Sequence, residues 1–263
     1  MPDRLPESDS AAELKRFLHA DGVVGSAATL TPLGGGVSSE IYVVRNGDAQ
    51  FVVKRALPQL KVAEPWFADV ERNQNEANYL RYVDDFPPKN VPRLNYVNRK
   101  HGYFCMDYLG QEWKNWKRLL LDGHFDSRVA VAAAEFLGAV HAHSSGDTDA
   151  RSQFDTLKEF EQLRIEPYLL AKARRHPALK GVIQAAAEHL CSRRDVLVHV
   201  DSSPKNILVG PQSIAVVDCE VACYGDAAFD VAFLLNHLFL KSLLHSSRCE
   251  VLQAMAILHG RRI

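Results

Sequence analysis

The chain has 263 residues, a formal net charge of −1 and 47% hydrophobic residues, enough apolar content for one large domain or two modest lobes. The near-neutral charge speaks against nucleic acid or an anionic membrane as a partner, and no run approaches the roughly 18 apolar residues of a bilayer span. The segment Met1 to Asp9 lacks the apolar core of a signal sequence, so a cytoplasmic protein is expected.

In chain order, residues 11–20 carry helical periodicity ending near Gly22, and packing is their expected role. Residues 30–44 read as a strand, a glycine-rich turn and a second strand. At Gly34, Gly35 and Gly36 the absent side chains let backbone N–H groups approach a polyphosphate. Ser38 and Ser39 add hydroxyls beside them. Asn46-Gly47 is a hairpin signal leading into a third strand, Phe51 to Lys54. A helix is expected over 65–83, carrying Glu71 and Glu76. Pro87, Pro88 and Pro92 end it, and 94–97 with 102–106 suggest another hairpin before Asp107, Leu109 and Gly110.

Beyond Gly110 the texture turns helical. Residues 129–143 have a wide apolar face. His141 and His143 lie two apart and cannot share a helix face. Residues 154–175 alternate acids and bases in a helical pattern, and a third helix is expected near 179–191.

The sequence concentrates its chemistry in residues 196–220. Two β-rich runs, 207–209 and 214–217, flank a Gly-Pro turn and read as a hairpin. Asp201 and Asn206 precede its first strand and Asp218 follows its second. A phosphoryl transfer needs a carboxylate to take the proton of the attacking hydroxyl. It also needs hard oxygen ligands to hold Mg²⁺ on nucleotide phosphates. A long apolar helix is expected after Phe229, with Asp230 near its start as a cap or a buried brace of the loop.

The order His199-x-Asp201-x-x-x-x-Asn206 followed by Asp218 has the spacing of a kinase catalytic loop and its metal-binding aspartate. With the glycine turn and Lys54, it resembles the aminoglycoside phosphotransferase and choline kinase family, small-molecule kinases of protein-kinase-like fold. The resemblance implies an α+β, bilobal architecture: an N-terminal antiparallel β-sheet lobe with one main helix over 1–109, and a mainly helical catalytic and acceptor-binding lobe over 110–263.

The activity it implies is transfer of the γ-phosphoryl group of ATP, with Mg²⁺, to a small-molecule hydroxyl. Asp201 is then the proton acceptor, and Asn206 and Asp218 hold the metal. Lys54 contacts the α- and β-phosphates and pairs with Glu76 in preference to Glu71. Asp107 and Leu109 lie at the hinge that receives adenine. His199 braces the loop, and Glu220 is a further carboxylate near the metal or simply a helix-start charge.

Several features depart from the family pattern. Where these kinases have His-Gly-Asp, the middle residue here is Val200, and a β-branched residue resists positive φ. The chain stops at Ile263, soon after the last expected helix, so a C-terminally short member is expected. These departures keep a nucleotide-binding pseudokinase, acting as a regulatory or scaffold module, as the alternative. A metal-dependent hydrolase leaves the glycine turn and Lys54 unexplained. The partner is a small-molecule acceptor, with no nucleic acid and no membrane, on a monomer or homodimer. The cysteines at 105, 191, 219, 223 and 249 are odd in number and form no C-x-x-C pair, so reduced thiols are preferred over a soft-metal site at Cys219 and Cys223.

Overall fold

A computed structural model describes residues 7–34, 39–57, 72–245, 250 and 253–254. Gly35, Gly36, Ser38, Glu71 and Cys249 lie outside these residues. The chain divides into two compact units, residues 1–77 with 93–108 and residues 78–92 with 109–263. Residues 78–92, which the sequence reading placed in the first lobe, group with the second unit.

The first unit is a five-stranded antiparallel sheet in the order β1-β2-β3-β5-β4, comprising β1 (Thr29–Pro32), β2 (Ser39–Asn46), β3 (Ala49–Ala56), β4 (Leu94–Asn98) and β5 (Tyr103–Asp107). The β2–β3 hairpin turns one residue later than the Asn-Gly signal implied: Asn46 pairs with Ala49, and the two-residue loop is Gly47-Asp48, with Gly47 at φ +61°, a glycine-first turn. Helix α1 (Glu7–Ala20) starts four residues earlier than expected and packs Leu14 and Leu18 against Val44, Val53, Tyr103 and Cys105.

Polar contacts fasten both ends of α1. The Arg55 guanidinium bonds Glu13 at 2.8 Å and Glu40 at 3.0 Å, and the Ser10 hydroxyl donates to Glu40 at 2.6 Å. Just past the helix, Asp21 accepts from the Tyr103 hydroxyl and from Asn98 Nδ2, and these bonds hold its pKa below the ordinary carboxylate value. Helix α2 (Arg72–Val83) carries Glu76 at its centre.

The second unit is mainly helical. Its described helices are α3 (Trp116–Leu121), α4 (Ser127–Ser144), α5 (Thr148–Gln153), α6 (Leu157–Phe160), α7 (Ala171–Arg175), α8 (Lys180–Ser192) and α9 (Ala227–Leu244). Two small antiparallel sheets stand among them. One pairs β7 (Val196–Val198) with β10 (Cys223–Gly225), and the other has the order β6-β8-β9, from Lys114–Asn115, Ile207–Val209 and Ile214–Val216. The core fills with Trp116, Leu120, Phe136, Leu137, Phe154 and Leu197, all essentially inaccessible.

The expected helix over 154–175 is present from Leu157 to Arg175, as α6, a π-helical stretch Glu161–Leu170 and α7 in unbroken succession. Pro167 inside that stretch has no N–H to give the helical ladder. Helix α9 requires a second correction. Its 18 residues are long and apolar enough to cross a bilayer by length and composition. Its first half is nevertheless tied to the chemistry of this unit through Asp230, while Phe239, Leu240, Leu243 and Leu244 are exposed.

Candidate active site

In the first unit, Lys54 lies on β3 and Glu76 on α2. The ammonium and carboxylate are 2.6 Å apart, with side chains 3% and 2% exposed. Burial removes the water that would otherwise screen both charges, so each strongly constrains the other. Gly34 follows β1 at an exposed position, and an added Cβ there would meet nothing within 4 Å. Ser39 opens β2. Its buried hydroxyl finds no hydrogen-bond partner among the described residues. Asp107 ends β5, where its N–H donates to the Arg93 carbonyl at 3.0 Å and its carboxylate accepts from Asn95 at 2.9 Å.

The second unit holds the loop after β7. Asp230, fully buried near the start of α9, is its anchor. One carboxylate oxygen accepts the His199 N–H at 2.8 Å and lies 3.1 Å from His141 Nε2; the other accepts the Val200 N–H at 2.8 Å. The Asp230 carbonyl accepts the Ser202 hydroxyl at 3.1 Å. Burial pushes the Asp230 pKa up, but the His141 hydrogen bond and the surrounding donors prevail and hold it below the ordinary carboxylate value. Of the two roles weighed for Asp230, the brace is the one present. The cap of α9 is Asp226, whose carboxylate accepts from Ala228 N–H at 2.9 Å.

His199 is completely buried, and burial depresses its pKa against the pull of Asp230, Asp201 and Asp218. Its Nδ1 accepts the Asp201 N–H at 3.2 Å, which fits a neutral ring carrying its proton on Nε2. Val200 has φ +71° and Asp218 φ +65°, so the β-branched residue adopts the backbone state that glycine would take freely.

Hydrogen bonds draw the three chemical residues together. Asn206 Nδ2 donates to the Asp201 carbonyl at 2.9 Å, leaving its amide oxygen for another partner. The Val217 N–H donates to the Asn206 carbonyl at 2.9 Å, which sets Asp218 beside the loop. Lys205 Nζ is 3.1 Å from the Asp201 carboxylate and 3.9 Å from that of Asp218. Arg164, from the π-helical stretch, is 3.0 Å from Asp201 and donates to the Val200 carbonyl at 3.3 Å. Neither cation was anticipated. Lys205 lies inside the motif, but Arg164 is 37 positions upstream in a segment whose alternating charges resemble any solvated helix.

Glu220 is buried, two residues after Asp218. Leu109 is half-buried and belongs to the second unit. Cys219 and Cys223 are both buried, and burial pushes the Cys223 thiol far up, so they behave as inert core thiols.

One unit is an antiparallel sheet carrying a buried Lys54–Glu76 pair, and the other is helical and carries the loop of Asp201, Asn206 and Asp218. Residues 29–246 match the model of the Phosphotransferase enzyme family, and the chain belongs to that family. Among curated relatives, methylthioribose kinase 1 of Oryza sativa subsp. japonica is 24% identical over 242 residues, covering 81% of this chain and 56% of the relative. The methylthioribose kinase of Exiguobacterium sibiricum is also 24% identical, covering 83% of this chain and 63% of its own. The chain thus spans little more than half the length of such relatives. In fold it is similar to the choline kinase of Streptococcus pneumoniae, with TM-score 0.56, 17% identity, and coverage of 94% of this chain and 80% of that one. An amicoumacin kinase solved with AMP-PNP and Ca²⁺ gives TM-score 0.64 at 12% identity, covering 97% and 79%.

Proposed function

We propose that this chain is an ATP-dependent phosphotransferase that moves the γ-phosphoryl group to a hydroxyl of a small molecule. The acceptor oxygen forms its bond to phosphorus as the bond from phosphorus to the β,γ-bridging oxygen breaks. ADP leaves with that electron pair, and Asp201 takes the hydroxyl proton. The observation that carries the reading is the hydrogen-bonded loop in which Asn206 Nδ2 holds the Asp201 carbonyl and the Asn206 carbonyl holds Val217, next to Asp218.

Asn206 and Asp218 are the residues that would hold Mg²⁺. Their donors suit it: an amide oxygen left available by the bond from Nδ2, and a half-buried carboxylate held by backbone at the end of a strand. Bound there, the ion would neutralise charge on the nucleotide phosphates. Lys54, oriented by Glu76, is assigned to the α- and β-phosphates, with Gly34 to Gly36, Ser38 and Ser39 covering them. Asp107 and Leu109 are assigned to the adenine end. Positioning and electrostatics supply most of the acceleration, because the transition state is loose.

The test is a thermal-shift titration with ATP, with and without Mg²⁺, followed by ADP release with a panel of acceptor alcohols. A ligand at 100 times its Kd adds about 2.7 kcal/mol to the native state. Asp201→Asn should then lower turnover by about 10²–10⁴-fold with nucleotide affinity retained. Unchanged turnover in that variant removes Asp201 from the proton-acceptor role. A Mg²⁺-dependent shift with no ADP release from any acceptor would favour the pseudokinase reading.

A further inference from the structure

The second unit holds more cationic groups around Asp201 than the phosphoryl-transfer roles require. Arg164 and Lys205 both reach its carboxylate, at 3.0 and 3.1 Å. Beyond them stand Lys117 on α3 and Lys241 on α9. Asn115, which caps α3, donates from Nδ2 to the Lys205 carbonyl at 2.6 Å, so α3 begins against the catalytic loop with Lys117 one position inside the helix. Helix α9 leaves that same loop at Asp230. Residues 230, 234, 237 and 241 recur at helical spacing and form one stripe, which carries His237 and Lys241 about 10 and 16 Å along the axis from Asp230. Near the far end, His245 meets Phe125, just beyond α3, with ring centroids 5.2 Å apart.

Lys241 is the informative member. It is 9% exposed. Among the described residues no acidic side chain comes within ion-pairing distance of it. A lysine side chain this little exposed, with no counter-charge beside it, has lost part of the hydration that an unpaired charge relies on. Burial and the nearby Lys117 both lower its pKa. His237 is lowered by burial and by Lys241, Lys117 and Lys205, against the pull of Asp201. The acids of this loop are Asp201 and Asp218, which Arg164 and Lys205 face, Asp230, which is taken by His141 and two backbone N–H groups, and the buried Glu220. Among the described residues none of them forms an ion pair with Lys117 or Lys241.

We propose that the acceptor that reacts at Asp201 carries an anionic group, a phosphate or a carboxylate, which Lys241 and Lys117 hold while Arg164 and Lys205 border the reacting hydroxyl. The proposal rests on the phosphotransferase reading of Asp201 and names its substrate class. A cationic amino alcohol or a polyamine sugar would meet like charge at Arg164, Lys205, Lys117 and Lys241. Like-charge juxtaposition of that kind excludes ligands as effectively as attraction recruits them.

The experiment is calorimetric titration of the full chain held saturated with AMP-PNP and Mg²⁺, whose own binding is measured first. The nucleotide keeps a phosphate probe out of the position of its own phosphates. The probes are glycerol phosphate, glycerate, glycerol and choline. The two anions should bind about tenfold or more tighter than glycerol, and choline should not bind. Lys241→Met and Lys117→Glu should each weaken the anions by about tenfold or more, while the Kd of AMP-PNP stays within about twofold. Lys117 is exposed, so its variant tests the site even if Lys241→Met is poorly folded.

Glycerol or choline binding as tightly as the anions would overturn the anion site, as would variants that leave anion affinity unchanged. Either result leaves the phosphotransferase reading standing. Anion affinity lost on addition of AMP-PNP would also overturn it, by assigning the cations to the nucleotide. Absence of AMP-PNP binding together with anion binding that depends on Lys241 would do the reverse. It would sink the phosphotransferase reading and retain the anion site.

Discussion

Replacing Asp230 with asparagine tests whether the catalytic loop is held as described. Asp230 accepts two backbone N–H groups, from His199 and Val200, each at 2.8 Å, and meets His141 Nε2 at 3.1 Å. Asparagine has one oxygen to offer and turns an NH₂ toward the other donor, so one buried N–H loses its acceptor, at about 1–3 kcal/mol. Loss of the charge-assisted contact with His141 adds about 1.5–3 kcal/mol. The sum, about 2.5–6 kcal/mol, is a large part of the 5–15 kcal/mol by which domains are ordinarily stable. Urea unfolding followed by tryptophan emission, to which Trp116, buried in the same unit, contributes, reads it. With a slope near ~2 kcal/mol per molar urea the midpoint should fall by about 1–3 M. On the proposed phosphotransferase reading turnover should fall as well, because Val200 and Asp201 lose their anchor. A stability change below about 1 kcal/mol would refute the idea that this carboxylate holds the loop.

Two further outcomes follow from the same charges. Because the Asp230 pKa is depressed in the folded state, its contribution is full above the unfolded value near ~3.9 and is lost as pH falls through the folded value; acid titration of Asp230→Asn should lack that part of the wild-type decline, and identical curves would contradict it. Lys54→Met should destabilise the first unit by about 3–5 kcal/mol by leaving Glu76 buried without its ammonium, and adding Glu76→Leu should recover much of the loss in a double-mutant cycle.

The sequence made the loop of Asp201, Asn206 and Asp218 legible because those residues are close in the chain. Asp201, Asn206 and Asp218 are joined by one hairpin, and spacing alone places them together. The first sheet was equally open to reading, since Asn46-Gly47 and the alternating runs around it fix a hairpin without outside help. The assignment of Glu76 over Glu71 rested on a short pattern, and the contact of Glu76 with Lys54 at 2.6 Å is its structural counterpart. Long-range partners left no mark. Arg164 reaches Asp201 from a π-helical stretch, and a charge alternation every few residues does not reveal which charge turns inward. Lys241 sits in an apolar run where a lysine would ordinarily take its head to water. Its burial depends on what α9 packs against.

Val200 is where local preference and tertiary demand conflict most plainly. Its side chain is fully buried and its φ is +71°, a state that costs a residue bearing a Cβ about 1–2 kcal/mol. Two contacts impose it: the Val200 N–H donates to Asp230 and the Val200 carbonyl accepts from Arg164. Rotating the peptide to a relaxed φ would break both. The strain can be separated from the burial by comparing Val200→Ala with Val200→Gly, since both delete the two methyl groups. At an ordinary position alanine is the more stable by about 0.5–1 kcal/mol, because glycine loses more backbone entropy on folding. At φ +71° the Cβ penalty outweighs that entropy, so the order should invert, with the glycine variant more stable by about 0.5–1 kcal/mol in urea unfolding. Both variants should be less stable than the parent, which keeps about 1.5–3 kcal/mol of valine burial. Alanine more stable than glycine would mean that the peptide relaxes in solution. The bonds from Asp230 and Arg164 would then be too weak to fix the approach to Asp201.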